Sequence, residues 1–167
     1  MRKTPVASPA VEVISHHVFA NVRLNCSTNQ KSMHAAVAFE PGQLIAEFHA
    51  GITQSYATYL TVQIDVNIHI TLQPVCLQYI NHSCNPNTFF DTAAMEVICL
   101  KSIAAGEELS FFYPATEWEM SQPFVCNCQS KDCLQLINGA SHLDRSTLEK
   151  YRLTDFIKRQ LAQRIPG

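Results

Sequence analysis

Asn81-His82-Ser83-Cys84-Asn85-Pro86-Asn87 is the stretch on which the fold turns. It lies between Leu77-Gln78-Tyr79-Ile80 and Thr88-Phe89-Phe90, two apolar runs that read as strands. Asn, Ser and Pro favour tight turns, and a proline biases the residue before it away from helix. Polar side chains set between apolar strands must find partners or stay solvated. The plain reading is a surface hairpin loop; the alternative is a functional site.

Two later stretches favour a site. Ile103-Ala104-Ala105-Gly106-Glu107-Glu108-Leu109-Ser110-Phe111-Phe112-Tyr113 is a turn feeding a strand that ends in aromatics. Cys126-Asn127-Cys128-Gln129-Ser130-Lys131-Asp132-Cys133 is a C-x-C-x4-C cluster. In this order and spacing the three stretches resemble the SET-domain family with its post-SET zinc cluster. The resemblance covers roughly residues 30 to 140, of which the specific motifs occupy a minority. It implies a mainly β fold of several small sheets with C-terminal helices. It also implies that the segment carrying Tyr113 threads past the central loop, a knot-like path that short-connection rules disfavour. The expected organisation is a SET-like domain over 1–120, with 1–10 a loose N-terminal arm. A post-SET zinc-binding segment over 121–140 follows, then a helical tail over 141–167 packed on the same domain.

Bulk properties bound the function. A chain of 167 residues, nearly half of them hydrophobic, can bury a full core as one domain. The formal charge is -2 and no Lys/Arg block occurs, so no nucleic-acid partner is expected. Met1-Arg2-Lys3-Thr4-Pro5 lacks the apolar region of a signal peptide, and no stretch has the length of a membrane helix. The expectation is an intracellular protein, cytoplasmic or nuclear, with no membrane association. Clustered cysteines in a reducing compartment point to metal rather than disulfides.

Along the chain, Val11–Ile14, Val18–Leu24, Met33–Phe39, Leu44–Phe48 and Met95–Leu100 read as strands. Cys26 to Ser32 reads as loop, and Pro41-Gly42 as a turn. Ala57–Ile64 and Ile68–Leu72 alternate at period two and form a hairpin. Ser146-Thr147-Leu148-Glu149 matches a helix capping box. Thr154 caps a second helix running to Arg164, with Phe156, Ile157 and Leu161 facing inward and Pro166-Gly167 ending it.

Cys126, Cys128 and Cys133 offer three of the four ligands that a tetrahedral zinc needs. The resemblance supplies the fourth, Cys84. Four thiolates close the site, so this zinc is structural and holds the post-SET loop over the central motif. The competing reading is a set of redox-active or merely buried thiols. Cys76 and Cys99 lie in apolar runs and are most simply core residues.

SET enzymes transfer a methyl group from S-adenosylmethionine, typically to a protein lysine. The resemblance implies that Asn81 and His82 contact the cofactor. It makes Tyr113 the active-site tyrosine and Phe111 the aromatic that influences how many methyls are added. Methyl transfer from a sulfonium needs a neutral amine held in line, and a narrow aromatic channel excludes water and disfavours the ammonium form. Phe89, Phe90, Phe111, Phe112, Tyr113, Trp118 and Phe124 are candidates for its walls. About half of them belong to the core instead, because alternate strand residues face opposite sides. Glu107 and Glu108 are assigned to the turn and solvent.

Two features depart from the family. Its Gly-x-Gly falls on Gln30-Lys31-Ser32 here, where side chains crowd a close backbone approach to the cofactor. Only about fifty residues separate Gln30 from Asn81, leaving a small insert and a shallow groove for a peptide or a small-molecule substrate. Two further functions therefore stand beside the methyltransferase. One is a repurposed catalyst, a cyclase or isomerase acting on a hydrophobic metabolite. The other is a zinc-stapled binding module without catalysis.

Overall fold

A computed structural model describes residues 10–164. The proposed arm over 1–10 and the Pro166-Gly167 terminus therefore lie almost wholly outside the described residues. In chain order the strands are β1 (Val11–His16), β2 (Ala20–Asn25), β3 (Gln30–Ala35), β4 (Leu44–Glu47), β5 (His49–Gln54), β6 (Thr61–Asp65), β7 (Ile68–Gln73), β8 (Asn81–His82), β9 (Thr88–Asp91), β10 (Glu96–Cys99), β11 (Ser110–Phe111), β12 (Phe124–Val125) and β13 (Leu136–Ile137). The α-helices are α1 (Arg145–Leu148) and α2 (Asp155–Gln163).

The strands form five small sheets, ordered β1-β2-β3, β4-β10-β9, β5-β7-β6, β8-β11 and β12-β13. One core gathers Val22, Met33, Ile45, Ile70, Leu77, Phe90 and Leu109 from the first three sheets and their connections. A second joins Phe89 and Phe112 to Leu148, Phe156, Ile157 and Leu161, so the tail packs on the body.

The chain crosses itself where β11 lies parallel to β8, pairing Ser110 with Asn81 and Phe111 with His82. Ser83 N–H donates to the Phe111 carbonyl at 3.0 Å. Asn87 is buried beyond it and fastens the crossing: its Oδ1 accepts from Ser110 N–H at 2.8 Å, and its Nδ2 donates to the Glu108 carbonyl at 2.8 Å. The central loop thus spends its polar groups on the passing segment, which satisfies both backbones where regular ladders end.

Several local expectations change. The strand expected over Met33–Phe39 is Gln30–Ala35, because the first strands pair as far back as Gln30 with Asn25. Leu77–Ile80 is not a strand: residues Val75–Tyr79 form a 3₁₀ turn with Leu77 N–H bonded to the Pro74 carbonyl. A short apolar run reads the same in either conformation. The hairpin is a three-stranded sheet, since His49–Gln54 joins it. The cap of α1 is Asp144 rather than Ser146; its carboxylate accepts from Thr147 N–H at 2.6 Å. Thr154 caps α2 as read, with Phe156, Ile157 and Leu161 buried.

Candidate functional site

An open cleft of about 1210 Å³ runs between the central loop, the β6 wall and the segment 120–128. Asn81, His82, Phe111 and Tyr113 all line it. Phe124, from the segment 120–128, lines it as well. The rings form a connected set, with Phe111 to Tyr113 at 4.6 Å, His82 to Tyr113 at 5.2 Å and Tyr113 to Phe124 at 5.9 Å. Of the other candidate aromatics, Phe89, Phe90 and Phe112 are core. Phe112 stacks on Tyr151, centroids 3.6 Å apart. Trp118 lies beneath Arg164, whose guanidinium sits 5.0 Å from the indole.

Burial pushes the Tyr113 phenol up to about 12. It stays protonated at any ordinary pH and is a hydrogen-bond donor, not a base. His82 is held down to about 4 by burial and is neutral. Its Nδ1 accepts from Tyr113 N–H at 3.2 Å, so the ring proton is on Nε2, which points at Cys84 Sγ 3.3 Å away.

Asn81 donates through Nδ2 to the Lys31 carbonyl at 3.0 Å and to Glu108 Oε1 at 3.2 Å. Glu108 therefore belongs to the cleft and not to solvent alone. Glu107 does serve the turn, accepting from Ala104 N–H at 2.9 Å. Gln30 and Lys31 sit at the cleft's edge, exposed. Lys31 Nζ leans over Tyr79, 5.1 Å from its ring centroid. The residues that stand for the family's two glycines are Gln30, exposed at the cleft's edge, and Ser32, half-buried with its hydroxyl 3.0 Å from His34 Nε2.

The sulfur atoms of Cys84, Cys126, Cys128 and Cys133 all lie within 4.8 Å of one another and could hold a metal ion. Residue 84 and residues 126–133, distant in sequence, meet here. Cys84 also has Tyr151 behind it, whose hydroxyl donates to the Cys84 carbonyl at 2.9 Å. Burial raises the Cys84 and Cys126 thiols, while hydrogen bonds from neighbouring groups outweigh burial at Cys128 and lower it. Cys76 and Cys99 are buried in the core, as their apolar runs indicated. Among the described residues no helix is long and apolar enough to cross a membrane.

Sequence reading missed Glu117. It is 7% exposed, lines the cleft four residues after Tyr113, and is held up to about 7 by burial. A lone acid inside the apolar run Phe111–Trp118 was the available signal.

A family model described as SET domain matches residues 26–114. The chain belongs to the SET-domain family. Over 133 residues it is 39% identical to the methyltransferase flvH of Aspergillus flavus, covering 78% of this chain and 74% of that protein. Over 78 residues it is 33% identical to a histone-lysine N-methyltransferase, H3 lysine-36 specific, of Candida albicans. That match covers 42% of this chain and only 9% of the longer protein. A solved structure of "ctPRC2 in an autoinhibited conformation bound to S-adenosylmethionine" aligns with TM-score 0.42 and 18% identity, over 80% of this chain and 20% of that one.

Proposed function

We propose that this chain transfers a methyl group from S-adenosylmethionine to an amine, within the cleft beside Tyr113. One observation carries the reading: four residues expected to serve the reaction, Asn81, His82, Phe111 and Tyr113, line a single cleft. Its volume of about 1210 Å³ exceeds the range of about 300–1,000 Å³ common for ligand sites. There is room for a nucleoside cofactor and an acceptor together. Family membership and the methyltransferase relative support the same activity.

The cofactor supplies a methyl on a sulfonium, electrophilic without any metal. The protein's residues do the rest. Asn81 holds the edge of β3 where the family approaches its cofactor with bare backbone. Gln30 is exposed and Ser32 turns its small hydroxyl side chain to His34 Nε2 at 3.0 Å, which relieves the crowding that side chains at the two glycine positions would cause. The rings of Phe111, Tyr113 and Phe124 exclude water, which disfavours a charged acceptor and fixes its approach. The Tyr113 hydroxyl, kept protonated, donates to or orients polar groups at the reacting centre. The acceptor is a lysine side chain or a small-molecule amine.

The metal is zinc in this reading. Four thiolates about 2.3 Å from a tetrahedral zinc lie about 3.8 Å apart, and Cys84 and Cys126 sulfurs are 4.0 Å apart. Four clustered thiols cannot all ionise without a cation to offset them. No open position remains, so the metal would bind structure, on the order of 10 kcal/mol, and take no part in chemistry. The organisation into a SET-like body, a post-SET segment over 121–140 and a packed helical tail belongs to the same reading. The tail's shared core with Phe89 and Phe112 supports it.

Calorimetric titration of zinc-loaded protein with S-adenosylmethionine is the test. Saturable heat is expected. Absence of binding at millimolar cofactor would end this reading and select the binding module or the cofactor-free catalyst.

A further inference from the structure

We propose that Glu117 receives the ammonium group of the acceptor, so that the cleft selects cationic amines. The inference rests on the methyl-transfer reading for the acceptor's being an amine. It stands otherwise on the placement of one carboxylate.

Glu117 is buried yet lines the cleft. Its backbone N–H donates to the Tyr113 carbonyl at 3.0 Å, so its position is tied to that of the phenol. Two donors reach its carboxylate, Gln63 N–H at 2.9 Å and the Thr116 hydroxyl at 3.1 Å. Both land on Oε1. Among the described residues nothing donates to Oε2. Among the described residues no lysine, arginine or histidine pairs with it either; the ion pairs there join His142 to Glu119, Arg152 to Asp91, Lys158 to Asp155 and Arg159 to Asp65.

A purely structural role does not explain this arrangement. Gln63 N–H needs an acceptor, and the amide oxygen of a glutamine would satisfy it without burying a charge; the Thr116 hydroxyl, with a single proton, also has the Tyr113 carbonyl at 3.2 Å as an acceptor. An ionised carboxylate removed from water and left without a counter-charge costs several kcal/mol. Burial accordingly holds the group up to about 7, so that at neutral pH it ionises readily when a cation arrives. An ammonium entering the cleft supplies both missing features, a counter-charge and a donor for Oε2.

The same pairing prepares the acceptor. Once both partners are out of water, the neutral pair is favoured over the ionic one. The ammonium proton passes to Oε2, leaving an amine and a carboxylic acid. The freed lone pair forms the nitrogen–carbon bond as the carbon–sulfur bond breaks, and its electrons neutralise the sulfonium.

The test compares zinc-loaded wild type with Glu117→Gln, titrated with n-butylammonium chloride and with 1-butanol, its neutral counterpart. Wild type should bind the ammonium about tenfold more tightly than the alcohol, the scale of one charge-assisted hydrogen bond. Glu117→Gln should bring that ratio close to one. Equal ratios in the two proteins overturn the proposal. Should the variant fail to fold, the wild-type ratio decides alone: about tenfold supports it and unity overturns it. S-adenosylmethionine is titrated in parallel. Failure of cofactor binding in wild type ends the methyltransferase reading, whereas failure of ammonium preference with intact cofactor binding ends only the role of Glu117.

Discussion

Tyr113 hangs from His82: its backbone N–H donates to the imidazole Nδ1 at 3.2 Å. The other ring nitrogen faces Cys84 Sγ at 3.3 Å, so one neutral histidine ties the phenol's backbone to the thiol cluster. Metal ligands are commonly tuned by such outer partners. His82 is therefore a brace between the Tyr113 backbone and the thiol cluster.

Replacing that brace has a defined consequence. His82→Phe keeps a ring in the cleft but leaves Tyr113 N–H without its acceptor, at a cost of about 1–3 kcal/mol. It also removes the donor to Cys84. Zinc affinity, read by competition with a chromogenic chelator, should fall about 10–100-fold. An unchanged affinity would show that the Cys84 contact has no bearing on the metal.

For Tyr113→Phe the expected change is in rate alone. The ring stays within its contacts to Phe111, His82 and Phe124. Only the hydroxyl goes, and removing one preorganised donor typically lowers kcat about 10²–10³-fold. The melting temperature and the S-adenosylmethionine Kd should hold. Unchanged turnover would remove Tyr113 from the reaction.

Glu117 makes stability fall with rising pH. Its folded value of about 7 lies above the 4.5 of an exposed glutamate, so the folded protein holds the extra proton between them. The stabilisation is complete below about 4.5 and is lost as pH rises through about 7, up to about 3 kcal/mol. His82 acts in the opposite sense, since burial lowers it from 6.5 to about 4 and its contribution grows as pH rises through that window. The difference between wild type and Glu117→Gln isolates the carboxyl. Urea midpoints from pH 5 to 7.5 should drop in wild type relative to the variant. Parallel curves would show that Glu117 has an ordinary pKa.

Much of this was legible because the motifs carry their own chemistry. Cysteine spacing marked a metal cluster, and the resemblance brought Cys84 to it. What failed were decisions that sequence leaves to tertiary structure. Leu77–Ile80 has the apolarity of a strand, but the chain turns at Pro74 and buries Cys76 and Leu77 within a 3₁₀ turn. Asp144 outcompetes Ser146 as a cap because an aspartate is as good a cap as a serine and lies one residue before the helix starts. Asn87 and His82 find partners at Ser110 and Tyr113, more than twenty residues on, which no local pattern encodes. Glu117 was visible only as an acid among aromatics, and its meaning depends on a cleft assembled from β6 and the central loop.

Gly139 offers a sharper test of how the cleft wall is held. Its φ of +111° lies in a region that side chains rarely adopt, and an added Cβ would sit 2.5 Å from the Trp118 carbonyl oxygen and 2.9 Å from its carbon. Both neighbours are backbone, and that backbone is committed: Ala140 N–H donates to the Glu117 carbonyl at 2.9 Å and Ser141 N–H to the Trp118 carbonyl at 3.0 Å. Neither side can yield without moving the segment that carries Glu117 into the cleft. Gly139→Ala should therefore cost on the order of 3 kcal/mol or more, combining backbone strain with a clash. Gly42→Ala is the matched control, because Gly42 has a φ of +88° and nothing within 4 Å of an added Cβ. It should lose only about 1 kcal/mol, from strain alone. Urea unfolding of the two variants reads the difference directly; equal losses would mean that the 139 turn relaxes freely and does not brace the wall.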